Sequence, residues 1–399
     1  MRIFKFIAVF TITAIVIFGF VIGFNWNTFK VFLDNREALS EGNEWIIKTS
    51  SLKGLSEFLG ENPIHGSISS VVITMPDSSL HFGSDIRRTM GTTSNLFILL
   101  GYAIDFESGL INPDSTVQWQ EISTYQLPGV DESVHRNAYR IAQEQGWISE
   151  DQSITLHNAL NLLAETNDLA LADYLWWQLR DDIWSEIPEV LNLEQTEMPL
   201  PYSGLYLSIS PFLQESTVSD LIHRYRNSEP ESWREFVIRN SGSFVNDPVY
   251  RDQILYYMNK NRLGNTFMEE RDALQLFPST TTGEITSLIQ GLVQKNVITE
   301  SVSERVLNYL RWPMRNQPRI DQDFLDYGAL YDNRMGLMTG IDFGTSSYTG
   351  DTTVQALFMD RLPIGFWFHA SGGHMHQDFM QRMIFDPAFI DQLYHVTGN

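Results

Sequence analysis

Arg87-Arg-Thr-Met-Gly-Thr-Thr-Ser-Asn-Leu-Phe-Ile-Leu-Leu100 is the stretch on which the fold turns. Gly91, Thr92 and Thr93 carry turn and helix-cap chemistry, and Leu96, Phe97, Leu99 and Leu100 follow as an apolar run. The pattern predicts a turn leading into a buried helix that continues to about Glu107. A hydroxyl in such a turn lies where free backbone N–H groups and the helix dipole favour developing negative charge. The same residues also suit an ordinary threonine cap.

Downstream, Glu107-Ser-Gly-Leu-Ile-Asn-Pro-Asp-Ser-Thr-Val117 closes that helix with Gly and Pro punctuation. Ser153 to Leu163 reads as a capped helix with Leu156, Leu160 and Leu163 on one side, and Leu169 to Leu179 reads as a second. Glu165-Thr-Asn-Asp168 joins the two. Together, Met90 to Leu100 and Glu107 to Val117 resemble the active-site helix of the class A β-lactamases and related penicillin-recognising serine hydrolases. In that family Ser-x-x-Lys opens the helix, and Ser-Asp-Asn and Lys-Thr-Gly complete the site. Here the first slot reads Thr92 and Asn95, the second Thr166, Asn167 and Asp168, and the third Met338, Thr339 and Gly340. The order of the slots fits the family, but their identities depart from it.

The resemblance implies a mixed α/β fold, an α+β sandwich. It would have an antiparallel sheet with helices on one face and an all-helical part over residues about 92 to 180. Ser67 to Met75 and Leu80 to Phe82 fit its strand hairpin. Ser279 to Ile289 and Val302 to Leu310 fit two of its helices, and Phe379 to Val396 fits the C-terminal helix. Met335 to Gly340, Thr353 to Met359 and Ile364 to Ala370 read as strands. Residues 199 to 279 read as an inserted helical cap over the cleft, opened by the loop Pro199 to Leu207. The expected organisation is a membrane segment at 1–24, a juxtamembrane segment at 25–50 and a catalytic-type domain at 51–399.

The membrane expectation rests on Phe6 to Phe24, uncharged throughout and preceded by Arg2 and Lys5. Such a run is long enough to span a bilayer as a signal anchor. Val21-Ile-Gly23 offers a weak cleavage site as the alternative. Either way the body is expected outside the cytoplasm, in a periplasm-like envelope space. The 399 residues carry a net charge of −22 and no cysteine. That charge argues against a nucleic-acid binder, and the absence of cysteine excludes disulfides and thiolate metal sites.

A hydroxyl nucleophile needs an adjacent base. Asn95 and Met338 supply neither a base nor a positive charge. One reading is therefore a catalytically degenerate protein that binds a small molecule or a peptidoglycan peptide, or a protein partner through residues 199–279. On that reading the resemblance implies an oxyanion-type pair at the N–H groups of Thr92 and Ile341. Arg334 would take a substrate carboxylate, with Thr166 and Thr339 nearby. The alternative is an active hydrolase of β-lactam or peptidoglycan-type bonds with Thr92 as nucleophile and Asp168 as base. His369, His374, His376 and Asp378 have metal-ligand chemistry but equally suit a strand end. No metal or cofactor is expected. Trp176-Trp177 and Phe366-Trp-Phe368 read as core, and Arg87-Arg88 as a solvated or ion-paired turn.

Overall fold

A computed structural model describes residues 33–49, 51–75, 78–214, 216–227, 230–312 and 320–397. The run Phe6 to Phe24 lies outside them. Among the described residues no helix is long and apolar enough to cross a membrane.

The strands in chain order are β1 (Gly66–Val72), β2 (Leu80–Phe82), β3 (Arg88–Thr89), β4 (Thr116–Gln118), β5 (Ser153–Thr155), β6 (Ser279–Thr280), β7 (Phe324–Asp332), β8 (Met338–Ser346) and β9 (Thr352–Met359). Five form one antiparallel sheet in the order β2-β1-β9-β8-β7, so the chain returns from its helical part to the far edge and works inward. β3 pairs with β6 and β4 with β5 as short ribbons.

The helices that build the site are α1 (Leu52–Glu61), α2 (Asn95–Glu107), α3 (Glu132–Glu144), α4 (Leu156–Thr166), α5 (Leu169–Gln178), α6 (Tyr202–Ile209), α7 (Thr282–Val293), α8 (Glu300–Leu310), α9 (Met375–Phe385) and α10 (Pro387–Thr397). Helices cover both faces of the sheet, which corrects the one-faced expectation. α7 packs on β1 and β9, and α8 joins α7 to α2. On the opposite face α9 packs on β8 and β9, with α1 and α10 behind it. The pleat explains the division. Ile341 and Phe343 point into the larger core with α2, while Met338, Leu357 and Met359 point into a second core with Phe379 and Met380.

Three local readings change. Ile364–Gly372 is a helix, because its buried residues Ile364, Phe366, Trp367 and Ala370 recur at helical rather than alternating positions. Pro363 precedes it as N-cap. Of the Phe366-Trp-Phe368 trio, Phe368 faces out. Tyr202–Ile209 is a helix rather than a loop, and every one of its residues is buried. It shares the larger core with Val237, Phe244, Ile254 and Met258 from the following helices, so these parts of residues 199–279 are packed into the body of the fold.

Candidate functional site

The chain leaves β3 through Met90 and Gly91 and enters α2 by a short 3-10 turn at Gly91–Ser94. Gly91 has φ +59°, and a Cβ there would collide with Asp332 Oδ2 and Leu337. Within the turn Thr93 Oγ1 donates to Met90 O at 2.6 Å and Ser94 Oγ to Gly91 O at 2.8 Å. α2 is apolar nearly all round and buried from Asn95 to Ala103, as a core helix must be. It therefore fixes the turn firmly against the sheet edge.

Thr92 is fully buried. Its backbone N–H donates to Asp332 Oδ2 at 2.7 Å. Its hydroxyl makes no well-formed hydrogen bond, although it lies close enough to Asp332 to help hold that carboxyl ionised. Asp332 ends β7, accepts Asn333 N–H at 2.9 Å and faces Arg334 Nε at 3.2 Å. Burial pushes its carboxyl above the ordinary range, against the pull of Arg334 and the Thr92 amide.

The rest of the site closes around this pair. Asn95 Nδ2 donates to Asn167 Oδ1 at 3.2 Å, and Asn167 Nδ2 donates to Tyr331 O at 2.8 Å. Asn167 caps α4 in the left-handed region at φ 52°, which turns its side chain from the helix end to the β7 edge. From α6, the Tyr202 hydroxyl lies 2.9 Å from Ser94 Oγ and 3.2 Å from Asn95 Oδ1.

A solved β-lactamase from Sphaerobacter thermophilus DSM 20745 superposes on 84% of this chain and 98% of its own, with a TM-score of 0.50 and 12% identity. This chain has the β-lactamase fold. A β-lactamase from Chitinophaga pinensis DSM 2588 aligns over 86% of this chain and 98% of its own, at 9% identity and a TM-score of 0.45. No protein-family model and no curated protein matches the sequence.

Within this β-lactamase fold the anticipated residues separate into two groups. Thr92, Asn95 and Thr339 converge, and Thr339 Oγ1 donates to Met90 O at 2.9 Å. Met338 and Gly340 do not join them. They lie on the other face of β8, where a Cβ at Gly340 would meet Met380. Ile341 lies on β8, an interior strand whose backbone is paired with β7 and β9. Thr166 Oγ1 turns back to Leu162 O at 2.7 Å.

Asp168 has its hydrogen-bond partners elsewhere than Thr92. Its Oδ1 caps α5 by accepting Ala170 N–H at 3.1 Å, and its Oδ2 lies 2.6 Å from His135 Nδ1. Arg334 does bind carboxylates, but they are the protein's own Asp131 and Asp332. These two carboxylates hold its guanidinium firmly protonated despite burial. Half-buried Glu270 stands in the same field, pushed up to about 7 by desolvation and then by Asp131.

Asp332 and β7 are what the sequence reading missed. Their signal was present as an aromatic, β-prone run, Phe324 to Tyr331, followed by Asn333-Arg-Met-Gly336 as a turn before β8. The histidines at 369, 374 and 376 do not gather. His376 is buried against Tyr331 while His374 and Asp378 are exposed. No group of three potential ligands occurs among the described residues. Arg88 is buried in ion contact with Asp360 at 2.7 Å, and Arg87 pairs with Glu197 at 2.6 Å. An open cleft of about 530 Å³ beside the β3–β6 ribbon is lined by Arg87, Trp233, Arg234 and Phe277, and Thr92 is not among its lining residues.

Proposed function

We propose that this chain is a catalytically degenerate protein of the β-lactamase fold that acts by binding, with its body outside the cytoplasm and residues 6–24 as membrane anchor. The observation that carries the reading is the state of Thr92. Its hydroxyl is sealed from solvent, and its amide is taken by Asp332. Acyl transfer requires an approachable nucleophile, a base within hydrogen-bond reach and donors directed at the developing oxyanion. At Thr92 the donor is occupied by a carboxylate, which also repels an incoming anion. Asn95 is no base, and Asp168 is committed to His135. The uncharged run behind Arg2 and Lys5 supports the anchor. A protein partner at residues 199–279 is supported by exposed Val249 and Tyr256, which share one helix.

The test compares wild type with Thr92→Ala on a chromogenic cephalosporin and on a fluorescent penicillin. Equal background rates and no Thr92 adduct are expected. Hydrolysis above background that Thr92→Ala abolishes would overturn the reading. Carbonate extraction with protease access tests the location, and a soluble cytosolic protein would refute it.

A further inference from the structure

Ser123 closes the short helix Trp119–Ser123, and its Oγ lies 2.9 Å from His135 Nε2 on α3. The other ring nitrogen, Nδ1, lies 2.6 Å from Asp168 Oδ2. Asp168 is itself fixed by its cap bond to Ala170 N–H at 3.1 Å. The imidazole stacks on Trp119, with centroids 5.2 Å apart and planes 18° from parallel. Three separate segments thus place a hydroxyl, an imidazole and a carboxylate in line. An ionised carboxylate only accepts, so Nδ1 carries a proton. In the neutral ring Nε2 then presents its lone pair to the Ser123 hydroxyl. Nucleophile, base and orienting carboxylate occupy their working relation.

We propose that Ser123 is a nucleophile activated by His135 and oriented through Asp168, reacting with activated acyl and phosphonyl electrophiles. This site is independent of Thr92. Ser123 is partly exposed, whereas the Thr92 hydroxyl is sealed. The His135 side chain keeps 10% exposure and Asp168 only 1%, so the base reaches the surface and its orienting group does not.

The surroundings limit the electrophile. Ser123 sits at the C-terminal end of its helix, and the N–H groups of Thr124, Tyr125 and Gln126 donate to Glu121 O, Ile122 O and Ser123 O. None of the three is left for an oxyanion. One such donor is worth about 10²- to 10³-fold, so amides are beyond reach and good leaving groups are required. Trp119 O, 3.1 Å from Ser123 Oγ, competes for the hydroxyl proton and wins whenever the ring is protonated. With an alkyl fluorophosphonate, an Oγ–P bond forms as the proton passes to Nε2, the P–F bond breaks and fluoride leaves. With p-nitrophenyl acetate, an Oγ–C bond forms, the ester C–O bond breaks and p-nitrophenolate leaves acetyl-Ser123 behind.

The full chain is treated with a desthiobiotin fluorophosphonate and the adduct mapped by peptide mass. An adduct on Ser123 is expected, lost in Ser123→Ala. Labelling should slow by about 10²-fold or more in His135→Asn and in Asp168→Asn. Asparagine at 168 keeps the helix cap, so unchanged thermal melts separate lost chemistry from lost fold. The deshielded Nδ1–H proton signal of His135 should vanish in Asp168→Asn, a change that a role in capping alone would not cause. No Ser123 adduct in wild type overturns the proposal, as does undiminished labelling of a folded His135→Asn. A Thr92 adduct would instead overturn the degenerate reading of that site.

Discussion

The Thr92 N–H and the Asp332 carboxylate, 2.7 Å apart, join the 3-10 turn that leads into α2 to the end of the sheet's edge strand. A carboxylate at free helical N–H groups is stabilised by the local dipole. Arg334 holds it from the other side, with side-chain exposures of 11% for Arg334 and 5% for Asp332. The bond thus serves the fold and closes the site in one contact. Asp332→Ala leaves the buried guanidinium half-compensated and the amide unpaired. Removing one member of a buried pair costs about 3 kcal/mol or more, measured by denaturant titration. Added acetate should recover part of that loss by occupying the vacated place. A variant with wild-type stability would show that Asp332 does not organise the turn.

Met338→Lys, the change that would restore a Lys-Thr-Gly sequence, should damage the protein rather than its substrate range. Met338 has no exposure and packs with Phe379, Met380 and Met383. A lysine there must be buried without a partner or must force α9 off the sheet. We expect insoluble protein or a loss of several kcal/mol, read from expression and melting. A stable variant acylated by penicillin would place Met338 in the site after all.

Much of the architecture was legible because its signals are local. The Gly91 turn, the apolar run of α2, the β1–β2 hairpin and the capped helix ending near Leu163 each follow from neighbouring residues, although the helix starts at Leu156 rather than Ser153. The corner at Thr166 to Asp168 was legible as a corner, but its roles were not. The side chain that faces Asn95 is that of Asn167, because the left-handed φ of 52° rotates it toward the sheet. β7 was hidden because Asp326 and Gly328 interrupt its apolar pattern and its partner β8 begins only after a turn. Asp332 and Arg334 are near neighbours, yet the pair matters through Thr92, 240 positions from Asp332, and through Asp131. No local pattern carries such a contact. Ile364–Gly372 was ambiguous because a short apolar run fits helix and strand alike.

Excising residues 199–279 should unfold the domain instead of exposing a cleft. Leu205, Leu207, Val237, Phe244 and Ile254 are buried in the core that also holds Leu96 and Leu99. Each such side chain contributes about 1.5–3 kcal/mol by burial, and the net stability of a folded domain is typically only about 5–15 kcal/mol. Circular dichroism and resistance to proteolysis check this. A cooperative melt in the excised chain would restore the idea of a separable cap.

Asp342 makes stability depend on pH with a definite sign. It accepts hydrogen bonds from Tyr331 at 2.9 Å and Tyr327 at 3.1 Å on Oδ2, while Oδ1 is buried and unpaired. Directly across the β8–β9 register stands Gln355, whose Nε2 donates to Met380 O at 2.6 Å and whose Oε1 is likewise unpaired. Gln355 and the two tyrosine hydroxyls favour the ionised carboxyl, but burial outweighs them. Burial raises this carboxyl from 3.8 to about 7. Below the unfolded value of 3.8 both states carry the proton and no cost arises. As pH rises toward about 7, the unfolded chain ionises freely while the folded one resists, so stability falls; above that it is level. Asp342→Asn keeps the shape of the side chain and leaves nothing to ionise. Its stability relative to wild type should therefore climb between pH 4 and 7 by at least ~1 kcal/mol, a tenfold change in proton affinity being about 1.4 kcal/mol. Denaturant titrations of both proteins across that range decide it. A wild-type curve that rises with pH relative to the variant would mean that Asp342 is ionised in the fold.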